Sequence, residues 1–155
     1  MEQATAADTI REVEVALSDL IRLFNRPVVQ RHLMAEAGVA IEVGASWALR
    51  RMADLGPCRP SDLAAALGVD ASTITHRIQA LERGGFVERI TDPADGRACI
   101  VRLSPDGEGA LTRLRAARRA LFERLLAGWE DRQRGDLAAA LERLRVALAD
   151  ELRDS

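Results

Sequence analysis

Lysine and tyrosine are absent from this 155-residue chain, and aromatic residues make up only 3% of it. All 22 basic residues are therefore arginine, a usage more typical of a GC-rich genome than of selection for one kind of ligand. With so few aromatics, the core has to consist mainly of Leu, Ala, Val and Ile, and the overall composition favours helices. The apolar fraction of 48% is enough for one compact domain.

Cysteine and long apolar runs are also scarce. Cys58 and Cys99 are too few for a disulfide framework and fit a reducing compartment. No apolar run approaches the length of a membrane span, and the first four residues lack the features of a signal peptide. We therefore expect a soluble, cytoplasmic protein with no membrane partner.

Motifs of enzymes and bound cofactors are likewise missing. The sequence has no glycine-rich phosphate loop, no zinc-protease motif and no nucleophile elbow. The spacings of His32, His76 and the two cysteines match no closed zinc site. We predict no catalysis, no metal and no other cofactor. A small enzyme is the remote alternative, and a substrate screen would test it.

The chain does contain two short amphipathic helices within residues 60–103. Pro60 suits the first position of a helix, and Gly68 suits a left-handed cap at its end. Asp70 is a good N-cap for a second helix, which places three apolar residues on one face: Ile74, Ile78 and Leu81. Two such helices joined by a tight turn predict a helix-turn-helix.

The opposite face of the second helix carries short hydrogen-bonding side chains rather than long charged ones. Such groups can reach base edges in a major groove, and Gln can bind adenine through two hydrogen bonds. An ordinary solvated helix face is the alternative interpretation. Arg83, at the end of this face, is predicted to contact phosphate. The other residues of the face are predicted to contact bases or nearby phosphates: Ser72, Thr73, Thr75, His76 and Gln79.

A β-hairpin is predicted directly after these helices. Residues 86–90 and 98–103 have strand character, and residues 91–97 between them contain Asp-Pro and Asp-Gly turn signals. A hairpin behind a recognition helix is a wing. Arg97, beside its tip, suits the negative potential of a narrow minor groove. The alternative is a surface arginine held by Asp92 or Asp95.

The formal charge of −2 argues against a nonspecific nucleic-acid coat. It leaves site-specific binding open, since affinity depends on the charge that faces phosphate. Residues 72–102 carry five arginines and four acidic residues, a slight basic excess. Binding to DNA is therefore expected to depend strongly on salt and geometry.

Residues 67–111 resemble the winged helix of the MarR family of bacterial transcription regulators. The similarity rests on the Leu-Glu-Arg-Gly-Gly-Phe-Val-Glu-Arg junction, on the acidic and basic residues of the wing, and on the Leu-Ser-Pro-Asp-Gly opening of the next helix. It covers the central third of the chain strongly, and the outer helices agree in number and placement. We also predict a phosphate contact for Arg89 and support of the wing tip by Asp92 and Asp95.

The predicted helices before and after the winged helix carry narrow stripes of apolar residues, which we call seams. Helices are predicted over residues 5–24, from Pro27 to residue 37, and over residues 42–55. After the wing we expect a long helix from Pro105, a turn within residues 128–135 and a last leucine-rich helix. A symmetric dimer buries these seams better than a monomeric bundle does.

The resulting fold class is mainly α with a small β-hairpin wing, a winged helix-turn-helix with N- and C-terminal dimerisation helices. We expect a single domain over residues 1–155. Its DNA-binding lobe spans residues 41–103, and its dimerisation region spans residues 5–37 and 105–153.

The family resemblance also implies a small-molecule effector in a crevice between the helical dimerisation region and the DNA-binding lobe. Six residues with side chains suited to an apolar or carboxylate ligand mark that expected crevice: His32, Met34, Trp47, Arg50, Arg51 and Met52. Packing between the lobes is the favoured interpretation of Trp47 and Met52. The peroxide-sensing branch of the family has a reactive cysteine in the first helix, where this chain has none. Cys99 is the alternative sensor, although strand packing is the favoured role.

These observations predict a homodimeric, sequence-specific regulator that binds double-stranded DNA. In this family such a protein is most often a ligand-responsive repressor on a palindromic operator. The alternative is a winged-helix protein-interaction module without specific DNA binding. The salt dependence of duplex binding separates the two.

Overall fold

The computed structural model describes the backbone of residues 6–153, with every side chain in that range except those of Ala6 and Arg97. Its elements, in chain order, are α1 (Ala6–Phe24), α2 (Pro27–Glu36), α3 (Val43–Leu55), α4 (Pro60–Leu67), α5 (Ala71–Arg83), β1 (Val87–Asp92), β2 (Asp95–Leu103), α6 (Pro105–Leu125) and α7 (Asp131–Glu151). The predicted helix start at Thr5 lies outside this range. The chain divides between residues 117 and 118 into two compact units, which we call the winged unit and the C-terminal unit.

The break between α1 and α2 lies at Pro27, as predicted. Proline has no N–H to donate, so it suits the first position of α2, and Arg26 before it is extended. The Gln30 side chain is buried and donates a hydrogen bond of 2.6 Å to the carbonyl of Phe24. Gln30 therefore satisfies a carbonyl that the interrupted helix leaves without its usual partner.

Helix α3 provides much of the core of the winged unit. Its buried residues are Ala45, Ser46, Ala48, Leu49 and Met52. Apolar residues at helical spacing over 41–55 predict one inward stripe that ends at Leu55, but Leu55 is exposed, and Leu49, which is not on that stripe, is fully buried. The difference arises because α4, α5 and β2 all contact α3, so that its apolar face is wider than one stripe.

The predicted helix-turn-helix is confirmed by α4 and α5. Gly68 ends α4 in the left-handed conformation with φ +62°, which a residue without Cβ adopts at little cost. Asp70 then caps α5 by accepting a hydrogen bond of 2.8 Å from the backbone N–H of Thr73. The three apolar residues of α5 are almost completely buried: Ile74, Ile78 and Leu81. This burial fixes which face of α5 is left open.

The hairpin is longer, and its turn shorter, than the sequence suggested. The strands were expected over residues 86–90 and 98–103, with a loop over 91–97; instead Pro93 and Ala94 alone connect β1 to β2. Asp92 pairs with Asp95 in the register, and its carboxylate accepts a hydrogen bond of 2.8 Å from the N–H of Ala94. This Asx-type turn closes the hairpin two residues past Asp92. The Asp-Pro and Asp-Gly signals correctly predicted a turn, but Asp92 is the last residue of β1 and Asp95 is the first of β2.

A further bridge attaches the hairpin to the segment before α4. The N–H of Cys58 donates to the carbonyl of Val101 at 3.1 Å, and the N–H of Val101 donates back at 2.9 Å. The short segment before α4 thus pairs with β2 as a single-residue third strand. The base of the wing is held against the helix-turn-helix by backbone hydrogen bonds.

Helix α6 begins where the sequence predicts. The Ser104 hydroxyl accepts a hydrogen bond of 3.0 Å from the N–H of Gly107, which caps the helix. The same hydroxyl donates to the carbonyl of Gly85 at 2.5 Å. A Cβ on Gly107 would lie 2.0 Å from the carbonyl oxygen of Phe86, so glycine is required there by close backbone approach.

Replacing Gly107 by alanine is expected to destabilise the winged unit by about 1–3 kcal/mol, because the clash is with backbone that cannot move aside. Gly109→Ala in the same helix turn is the matched control, since its new Cβ would lie 3.5 Å from a flexible Arg113 nitrogen. That variant should gain about 0.5–1 kcal/mol from helix propensity. Urea unfolding of both variants checks this, and equal stabilities would contradict it.

The C-terminal unit contains the end of α6 and all of α7. The turn expected within residues 128–135 ends before Asp131, where α7 begins, so Gly135 lies inside the helix. The Gln133 side chain accepts a hydrogen bond of 2.9 Å from the N–H of Glu130, a helix-starting contact that places Gly135 inside the helix. No described residue of α7 is buried in the single chain. None of the described helices is long and apolar enough to cross a membrane.

Candidate nucleic-acid interface

The face of α5 opposite its buried residues is open to solvent. Ser72, Thr75, His76, Gln79 and Arg83 are exposed, and Thr73 is half-buried. These are the side chains expected to contact DNA. The structure places them along one helix whose other side is fixed in the core, so the open face has a defined position.

The first residues of this face are engaged by the helix cap. The Asp70 carboxylate accepts hydrogen bonds from the Ser72 hydroxyl at 2.6 Å and from the Thr73 hydroxyl at 2.7 Å. These hydrogen bonds hold the pKa of Asp70 well below its usual range, with the Ser72 hydroxyl as the largest cause. Ser72 and Thr73 can still accept hydrogen bonds, but their own protons are directed at Asp70.

The middle of the face is the part with uncommitted polar groups. Thr75 donates its hydroxyl proton to the carbonyl of Ala71 at 2.7 Å. Within the described part of the chain, the His76 ring and the Gln79 amide make no hydrogen bond or ion pair. An exposed side-chain amide with both its donor and its acceptor available is the group that binds adenine bidentately. Gln79 and His76 are therefore the side chains of this face whose hydrogen-bonding groups have no partner among the described residues.

Two arginines expected at phosphate lie at the end of this helix and in β1. Arg83 is exposed and makes one long hydrogen bond, 3.4 Å, from Nε to the carbonyl of Gln79. Arg89 donates from Nε to Glu82 at 2.7 Å, and this hydrogen bond raises the pKa of the guanidinium. Arg83 is thus the more available of the two, because phosphate would have to compete with Glu82 for Arg89.

The wing is held through Asp92, one of the two residues expected to support its tip. Besides the N–H of Ala94, Asp92 binds Arg59, whose Nε and Nη2 lie 2.9 Å and 2.6 Å from the same carboxylate oxygen. The pKa of Asp92 is lowered, first by the Ala94 N–H and then by Arg59. Asp95 is exposed and lies beside the turn. The side chain of Arg97 is outside the described part of the structure.

Sequence reasoning missed Arg59 and Arg77. Arg59 is the N-cap residue of α4, and its partner Asp92 is 33 positions away, so no local pattern indicates the pair. Arg77 is half-buried, and a Cβ on Gly44 at the start of α3 would lie 3.0 Å from its Nε. The absence of a side chain at Gly44 leaves room for Arg77 to pack there.

The six residues expected to line an effector crevice occupy different environments. Met34 and Met52 are buried in the core. The other four lie nearer the surface: His32 is 3.4 Å from Glu36, Arg51 is 3.6 Å from Asp54, and Arg50 lies over the Trp47 ring at 5.4 Å from its centroid. Met52 also lines a cavity of about 510 Å³ between the end of α3, the hairpin and the start of α6.

A second cavity, of about 690 Å³, lies beside α5. Its wall includes Arg31 of α2, Arg83 of α5, and the residues that lead into α3: Ala40, Ile41, Glu42 and Val43. Neither Arg31 nor Glu42 forms an ion pair within the described part of the chain. This cavity combines an apolar surface with arginine side chains, but it contains none of the six residues expected from the sequence.

The two cysteines are separate from each other and differ in environment. Cys58 is buried, and burial raises the pKa of its thiol. Cys99 is half-buried, and its sulfur lies 3.5 Å from Nη1 of Arg89. Within the described range, no group of three His, Cys, Asp or Glu side chains is placed to hold a metal ion.

Replacing Asp70 by alanine is expected to destabilise the protein at neutral pH, and the loss should shrink in acid. A carboxylate with a lowered pKa contributes stability above its unfolded pKa of about 3.9 and loses it as the pH falls toward the folded value. Urea unfolding of wild type and Asp70→Ala from about pH 7 to about pH 3 measures this. Asp70→Asn is the control, because it keeps a cap without the charge. A difference independent of pH would contradict the assignment.

A helix-turn-helix with an open polar face, followed by a two-stranded wing fixed to it, defines the winged helix-turn-helix class. The comparisons with known proteins agree. The family model described as MarR family matches residues 47–99. A helix-turn-helix-type transcriptional regulator of Mycobacterium bovis is 34% identical over 104 residues, which cover 67% of this chain and 72% of the relative. The chain belongs to the MarR family of transcription regulators.

Solved structures show the same fold over nearly the whole chain. A MarR family protein from Bacillus stearothermophilus has a TM-score of 0.78 at 20% identity, covering 94% of this chain and 99% of that one. FabT of Streptococcus pneumoniae, solved in complex with DNA, has a TM-score of 0.66 at 19% identity, covering 91% and 98%. At these identities the similarity concerns the fold alone.

Proposed function

We propose that this protein is a homodimeric repressor that binds a palindromic operator through α5 and the wing of each copy. The observation that carries the proposal is the division of α5: Ile74, Ile78 and Leu81 are buried, whereas His76 and Gln79 are exposed without a described partner. A helix fixed in this way presents base-reading groups at low conformational cost.

Each residue group has a distinct role in this proposal. His76 and Gln79 bind base edges in the major groove, with Thr75 beside them. Ser72, Thr73, Arg83 and Arg89 contact bases at the helix start or the flanking phosphates. Arg97 enters the minor groove, and Asp92 and Asp95 support the tip that carries it.

Dimerisation is supported by the apolar surface that the single chain leaves uncovered. In α7, Leu141, Leu144 and Leu148 recur at the spacing of one helix face and are 44–59% exposed. In α1, Ile10, Val13 and Leu20 are also at least 48% exposed. A second copy of the chain can bury both sets and supply the second α5 that a palindrome requires.

Release from DNA by a small molecule is the remaining part of the proposal. The cavity beside α5 has a volume in the range of ligand pockets, and Arg83 is both in its wall and in the proposed phosphate-contacting set. A ligand that binds Arg83 there would compete with DNA. Thermal-shift screening of a small-molecule library tests this: ligands of this cavity should stabilise wild type but not Arg31→Ala. Hits that act equally on both would contradict it.

The salt dependence of duplex binding tests the function itself. Fluorescence anisotropy with a labelled duplex should give a log K against log[salt] slope of several units, because each neutralised phosphate contributes about −0.9. A matched single strand of the same length is the control. No binding to any duplex would contradict the proposal and would leave a protein-interaction module as the interpretation of the winged helix.

A further inference from the structure

The wing is attached to the start of α4 at two points that adjoin in sequence. Near its base, Cys58 exchanges two backbone hydrogen bonds with Val101. Near its tip, the next residue, Arg59, binds Asp92 with Nε at 2.9 Å and Nη2 at 2.6 Å. One short segment therefore contacts both ends of the hairpin.

The contact at the tip is the more unusual of the two. The Asp92 side chain is only 7% exposed, whereas that of Arg59 is 45% exposed. Asp92 is the last residue of β1, and its other oxygen accepts the N–H of Ala94 in the turn. A carboxylate that holds the turn with one oxygen and an arginine with the other couples the turn conformation to α4.

Arg59 is itself fixed from the α4 side. Its backbone N–H donates to the Asp62 carboxylate at 3.3 Å, and its carbonyl accepts from the N–H groups of Asp62 and Leu63. The backbone of Arg59 is thus fixed at the start of α4, and its side chain reaches Asp92 at the wing tip. From this geometry we infer that Arg59 is a positioning residue, which sets the angle of the wing relative to α5 and so determines where the wing meets DNA.

This inference rests on the proposed function for its consequence in DNA binding, but its structural part can be tested without DNA. Arg59→Met keeps the length of the side chain and removes its charge. In the free protein, hydrogen exchange of the turn amides at residues 94–96 should become at least several-fold faster, because Asp92 loses its fixed partner. Asp92→Asn should act in the same way, since an amide can still accept the Ala94 N–H but binds arginine weakly.

The matched control is Arg102→Met. Arg102 also binds a carboxylate of the hairpin with two nitrogens, Nε at 3.0 Å and Nη2 at 2.9 Å from Glu88. Its side chain is 49% exposed, close to that of Arg59, but the pair lies next to the base of the wing. Arg102→Met should leave exchange at residues 94–96 unchanged. Equal exchange at the tip in Arg59→Met and wild type would overturn the inference.

DNA binding then distinguishes positioning from direct contact. Arg59→Met is expected to weaken binding to a duplex selected from a random pool by wild type about tenfold, and the loss should nearly disappear in an Arg97→Ala background. Arg59→Lys should recover part of the affinity. If the two substitutions instead weaken binding independently, so that their fold-losses in affinity multiply, Arg59 contacts DNA or stabilises the fold without acting through the wing. That result would overturn the inference. If wild type binds no duplex, the proposed function fails, whereas the exchange measurement still decides the role of Arg59.

Discussion

Replacing His76 and Gln79 together by alanine is expected to weaken specific DNA binding by about 2–6 kcal/mol, since each good base contact contributes about 1–3 kcal/mol. Both side chains are exposed on α5 and have no partner among the described residues, so their removal leaves the core intact. Competition anisotropy with specific and random duplexes measures the effect. Nonspecific affinity should change little, because phosphate contacts remain.

The control for this double variant is His32→Ala. His32 is the other histidine of the chain, is exposed on α2, and lies near Glu36 rather than on α5. It should bind the specific duplex like wild type and unfold at a similar urea concentration. A double variant that still discriminates the specific duplex as well as wild type does would show that α5 is not the reading helix.

Replacing Leu144 and Leu148 of α7 by aspartate is expected to convert the proposed dimer to a monomer and with it to abolish operator binding. The two side chains are 44% and 59% exposed in the single chain. Together they expose about the area of one whole leucine in each copy, and burying that area in both copies contributes about 3–6 kcal/mol to association. Sedimentation equilibrium measures the loss directly.

Ala139→Asp provides a matched charge on the opposite face of the same helix, five residues before Leu144 and hence about half a turn away from the leucine face. It should remain dimeric and bind DNA. If the double aspartate variant sediments as wild type does, α7 is not the dimerisation helix. If it is monomeric yet binds the palindrome with full affinity, two copies are not needed for recognition.

Much of the winged unit could be predicted because its determinants are local. The Asp70 cap, the left-handed Gly68 and the apolar spacing of α5 each depend on residues within two helical turns. These features fixed the helix-turn-helix and the face that remains open. The hairpin after α5 was predicted in the same way, from strand character and turn signals that lie close together in sequence.

Two features could not be predicted, because one depends on a tertiary contact and the other on competition between hydrogen-bond partners. Arg59 and Asp92 meet only after the hairpin folds back against α4, 33 residues along the chain. The hydroxyls of Ser72 and Thr73 seemed available to bases, yet the cap residue Asp70 accepts both. The sequence pattern shows which groups a face carries, but not which of them are already hydrogen-bonded.

The errors at the turns have a related origin. Glycine and Asp-Gly signals were taken to mark loops, but Gly135 lies inside α7 and Asp95 begins β2. At both positions a side-chain hydrogen bond sets the boundary before the glycine is reached. The Gln133 contact starts α7 at Asp131, and the Asp92 contact closes the hairpin turn at Ala94. Capping and Asx contacts therefore decide the boundary when they compete with glycine.

Selection of bound fragments from a random duplex pool, run in parallel with wild type and the His76→Ala/Gln79→Ala variant, tests the central claim most directly. Wild type should enrich an inverted repeat with half-sites about 10 base pairs apart, and the variant should lose that sequence while still retaining duplex at low salt. No enriched sequence for wild type, or the same sequence for both proteins, would contradict DNA reading by α5.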